Sequence, residues 1–62
     1  MRTFQVQVRR NRADAPTVHV VTARDEARAR ALAAKVLSSA PRGAWAEVFE
    51  AEKLLFTLGE PD

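Results

Sequence analysis

Few residues in this chain could carry reaction chemistry. His19 is the single histidine, Ser38 and Ser39 are the only serines, and there is no cysteine. Nucleophilic catalysis needs a serine or cysteine held beside a base, but both serines fall at the end of a helical stretch, far in sequence from His19 and without nucleophile-elbow glycines. One histidine without cysteine cannot build a structural zinc site. The only glycines are Gly43 and Gly59, so no phosphate-cradling loop can be written. Glu47, Glu50 and Glu52 have the chemistry of an acid–base pair, yet on a strand and its turn they read as solvated gatekeepers beside apolar residues. The expectation is no enzyme, no metal, no cofactor and no small-molecule substrate.

The basic residues are the stronger lead. Residues 1–42 hold nine bases against three acids, and residues 43–62 hold one base against five acids, so a formal net charge of +2 hides a bipolar chain. Such asymmetry suits nucleic acid at the basic part, or two copies meeting basic end to acidic end. Arg24, Arg28 and Lys35 fall on one helical stripe, and Arg9, Arg10 and Arg12 cluster where the first strand ends. Arginines so placed can contact phosphates, with Trp45 or Phe49 as a stacking surface if they face outward. No helix-turn-helix, aromatic-rich RNA-binding strand or Lys/Arg run longer than two accompanies them. A composition rich in alanine and arginine also makes Arg the ordinary solvated base, so nucleic-acid binding stands as the alternative function.

These residues must be positioned by one helix, expected over about 23–39. Thr22 can cap it, with Asp25 in the acidic place of a capping box and Glu26 adding negative charge to the first turn. Ala29, Leu32, Ala33, Val36, Leu37 and Ala40 recur at a period of 3.6 and form the face to be buried. Asp25–Arg28 and Glu26–Arg30 have the spacing of helical ion pairs. Pro41 and Gly43 end the helix near Ser39.

Strands fill the rest. Phe4, Val6 and Val8 alternate with polar neighbours over about 3–10, and T-V-H-V-V-T supplies a second strand over 17–22. The polar stretch 11–16 between them reads as a flexible loop joining an antiparallel hairpin. Val18 and Val20 are expected to share the face of Phe4, Val6 and Val8, leaving His19 and Val21 opposite. A second hairpin spans about 44–51 and 54–58 and turns near Glu52-Lys53 without an Asn-Gly or Asp-Gly signature, which leaves its register open. Residues 59–62 read as a frayed tail.

The architecture expected is α+β, one ββαββ domain covering 1–62: an antiparallel sheet of up to four strands with the helix on one face. A domain of this size, without disulfide or metal, gains stability most readily by association. Its second sheet face would carry an apolar patch, for which Trp45, Phe49, Leu55 and Val21 are the candidate partner-interface residues; for Trp45 and Phe49, burial in the monomer is the competing outcome. With no signal sequence and no apolar run near 20 residues, a soluble cytoplasmic protein is expected. The functional expectation is a non-enzymatic assembly module, a homodimer or the binder of another protein through its sheet face or strand edges.

Overall fold

A computed structural model describes residues 1–59 of the chain. The element order is β1 (Arg2–Arg9), β2 (Thr17–Ala23), α1 (Glu26–Ser38), β3 (Trp45–Glu50) and β4 (Lys53–Leu58). The strands form one antiparallel sheet in the order β2-β1-β3-β4. The expected ββαββ fold is therefore the observed one, with element ends shifted by at most three residues. The expected tail lies, from residue 60 on, outside the described residues.

The chain begins in the middle of the sheet. β1 pairs with β2 on one side and β3 on the other, so α1 carries the chain from the β2 edge across β1 to β3. Phe4, Val6 and Val8 of β1, with Ala46 and Val48 of β3, point at the helix and are buried. From the other side Ala29 and Ala33 are fully buried against them, flanked by Leu32, Val36 and Leu37. Two alanines at the contact let the helix backbone lie close to the sheet, while the bulk comes from Phe4. Burying each large side chain contributes on the order of 1.5–3 kcal/mol.

Three local expectations are corrected. The helix is capped by Asp25, not Thr22: the Asp25 carboxylate accepts a 2.8 Å hydrogen bond from the Arg28 backbone N–H. Thr22 and Ala23 instead continue β2, pairing with Thr3 and Arg2, because Ala23 is buried under the helix start. The Asp25–Arg28 and Glu26–Arg30 side-chain ion pairs do not form. Glu26 turns to Arg2 at 3.8 Å, and the Arg30 guanidinium lies 4.5 Å from the centre of the Phe56 ring.

The second correction concerns β2. Phe4 pairs with Val21, Val6 with His19 and Val8 with Thr17. Directly opposed residues share a face, so His19 and Val21 lie on the helix side, and Val18 and Val20 on the open side with Gln7 and Gln5. Val20-Val21 makes either parity apolar, so the alternation could not decide. Burial of Ala23 goes with the observed one.

The third concerns the second hairpin, where neither simple register holds. Leu58 and Phe56 oppose Ala46 and Val48 on the helix side, but Phe49 opposes Leu54, so Leu55 is the extra residue of a β-bulge. The bulge moves Leu54 to the open face and leaves Leu55 packed against the core. Ala51 and Glu52 make the turn, both with positive φ (51° and 71°), the type I′ pattern usually given to Asn-Gly.

Candidate interaction surface

β1 determines most of the open face, because its Thr3, Gln5, Gln7 and Arg9 run down the middle of it. A cross-strand row, Val20–Gln5–Phe49–Leu54, spans all four strands. The next row is Val18–Gln7–Glu47–Thr57. Exposed apolar side chains thus sit at both margins, Val18 and Val20 on β2 and Leu54 on β4, with Phe49 among the polar residues between them. Val18, Val20 and Leu54 are 51%, 66% and 48% exposed, and Phe49 is half-buried.

Of the four expected interface residues, the structure therefore presents only Phe49 on the open face with part of its surface available. Val21 faces the helix, and Leu55 is packed against the core. Trp45 is on the open face opposite Arg9 but only 6% exposed, outside the core under the helix. Depressions beside it are lined by Arg9, Arg12 and Glu47 and by Arg10, Asn11 and Ala13, so the β1–β2 loop lies against the indole. Gly59 backs the same residue: a Cβ there would stand 3.3 Å from the Trp45 Cβ. The loop is shaped by Asn11, whose side-chain oxygen accepts from the Ala13 and Asp14 N–H groups at 2.9 and 2.8 Å. Sequence reasoning missed Val18 and Val20 as surface residues because it set β2 on the wrong parity.

Part of the bipolar charge is settled within the molecule. Arg2 donates two hydrogen bonds to the Glu50 carboxylate, at 2.8 and 2.6 Å, and Arg9 reaches Glu47 at 3.3 Å. Both pairs join bases of β1 to acids of β3. The Arg2 bonds push the Glu50 carboxyl below its usual range and raise Arg2. Arg10 pairs with Asp14 at 3.1 Å across the loop.

The six expected nucleic-acid residues are thereby split. Arg9 and Arg10 are engaged with carboxylates, and Arg12 lies beside Trp45. Arg24, Arg28 and Lys35 lie instead along the junction of α1 with β2, and among the described residues no carboxylate is within ion-pair distance of them. No described helix is long and apolar enough to cross a membrane.

The contrast between the two sheet edges is the main feature of the site. β4 carries Lys53 and the bulge, two devices that discourage pairing with another chain. β2, T-V-H-V-V-T-A, has no Asp, Glu, Lys, Arg or Pro, and pairs with β1 in unbroken register from Thr17 to Ala23. Its outer side has no strand partner among the described residues. No protein-family model, curated protein or solved structure matches this chain.

Proposed function

We propose that this protein is a non-enzymatic assembly module that homodimerises by pairing β2 with β2 of a second copy. The observation that supports this reading is the unprotected edge: seven regular, uncharged residues whose outward valines, Val18 and Val20, are half to two-thirds exposed. A strand of that kind is a template for another strand, and natural sheets blunt such edges unless they are used. Two-fold antiparallel pairing extends the sheet to eight strands and sets Val18 and Val20 beside the same residues of the partner, an isologous contact. It also supplies the association that a small core without disulfides calls for.

The test is the light-scattering mass at tens of micromolar. Twice the monomer mass supports the pairing, and a monomer at that concentration rejects it.

A further inference from the structure

We infer that the groove between α1 and β2 binds the phosphate backbone of a single-stranded nucleic acid. Three adjoining depressions make up the groove. Its first part is lined by Thr22, Arg24, Arg28 and Leu32, its middle by Leu32, Lys35, Val21 and His19, and its last part by His19, Val36, Ser39, Thr17 and Arg10. Leu32 joins the first part to the second, and His19 and Ser39 join the second to the third.

None of the residues lining these three parts is an aspartate or glutamate. Three bases do face acids: Arg2 has Glu50, Arg9 has Glu47 and Arg10, at the far end of the groove, has Asp14. Arg24, just before α1, and Arg28 and Lys35 on it have no carboxylate within ion-pair distance among the described residues, and Ser39 lines the groove beyond Lys35. Arginine forks, an ammonium and hydroxyl donors are the groups that phosphate oxygens accept from. From Arg28 to Lys35 the rise along the helix is about 10 Å, so the charges address a chain with repeated negative charge rather than one isolated anion. No Phe, Tyr or Trp lines the three parts, and His19 is the one ring there, so the contacts are mainly to the backbone.

An acidic peptide has the same charge. It would take its main-chain hydrogen bonds from the β2 edge, which the proposed dimer already uses; to that extent the choice of nucleic acid rests on that reading. A sugar–phosphate backbone needs only the cations and hydroxyls. In the dimer the two grooves lie on the same face of the joined sheet, one on each side of the β2–β2 seam.

The experiment uses a fluorescein-labelled oligothymidylate titrated with protein over a salt series, with unlabelled poly-glutamate as competitor and the mass measured on each sample. Two triple variants lose equal charge: Arg24→Gln with Arg28→Gln and Lys35→Gln in the groove, and Arg30→Gln with Arg42→Gln and Lys53→Gln away from it. The inference expects a log–log salt slope that falls by about 2 in the groove variant, at about 0.7 per phosphate contact on a single strand, and by much less in the other. Equal losses in both variants mean general charge attraction and overturn it. So does absence of binding at low salt, and so does poly-glutamate displacing the oligonucleotide at equal charge concentration. A dimer that fails these tests sinks the groove alone, whereas a monomer that passes them sinks only the dimer.

Discussion

Arg2 and Glu50, 48 positions apart in sequence, meet as a fork and a carboxylate with hydrogen bonds of 2.8 and 2.6 Å. The contact joins the start of β1 to the end of β3, and Arg2 also reaches Glu26 in the first turn of α1. One arginine thus ties two central strands to the helix at one end of the domain. The hydrogen bonds from Arg2 lower the Glu50 pKa. A carboxyl whose folded value is depressed contributes stability that is fully present above its unfolded value and is lost as pH falls through the folded one. Urea midpoints measured from pH 7 to pH 3 should therefore decline below about pH 4.3, the ordinary glutamate value, more steeply in the wild type than in Glu50→Gln. Identical pH profiles for the two proteins would show that the pair contributes nothing to folding.

Val20→Lys should abolish the dimer with little effect on the fold. The position is 66% exposed on the edge strand, so the monomer's stability should change by no more than about 0.5 kcal/mol, while a charge on each copy is brought together at the seam. Sedimentation at several concentrations, with circular dichroism as the check on folding, reads both. A dimer surviving the substitution would move the interface elsewhere.

The Ala51-Glu52 turn holds two non-glycine residues at positive φ. Each such residue costs on the order of 1 kcal/mol. Replacing the pair by Asn-Gly should raise stability by about 1–2 kcal/mol, seen as a higher urea midpoint with an unchanged slope. Loss of stability would mean that the turn is not type I′ in solution.

Gly59→Ala should be destabilising by about 1–3 kcal/mol, because Gly59 has φ of 81° and a Cβ there would stand 3.1 Å from the Ala44 carbonyl oxygen. Since the same Cβ would touch Trp45, the tryptophan emission of the folded variant should shift as well. Wild-type stability together with unchanged emission would show that Gly59 does not hold this conformation against Trp45.

Asp25→Ala should cost about 1 kcal/mol and Thr22→Ala close to nothing, since Asp25 caps α1 while Thr22 is an exposed residue of β2. Thermal midpoints of the two variants decide it. The reverse order would restore Thr22 as the cap.

How far the sequence reached depended on how local the determining interaction was. The fold class was legible because helix and strand periodicities differ: Phe4, Val6 and Val8 repeat at two, and Ala29, Leu32, Ala33 and Val36 at 3.6. The helix end was legible for the same reason, as Pro41 acts on its own neighbours. What depended on parity was not. Val20-Val21 and Leu54-Leu55 are adjacent apolar pairs, so either face reads as a strand, and only the burial of Ala23 and the bulge at Leu55 separate the alternatives.

Charge followed the same division. By itself the sequence determined that bases crowd the first two-thirds of the chain and acids the last third. Tertiary structure decided which of them meet: placing β1 beside β3 brings Arg2 to Glu50 and Arg9 to Glu47, while Arg24, just before α1, and Arg28 and Lys35 on it are left unanswered. Composition counts charges, whereas pairing depends on which strands are neighbours, and strand order arises only when the helix crosses β1 to close the core.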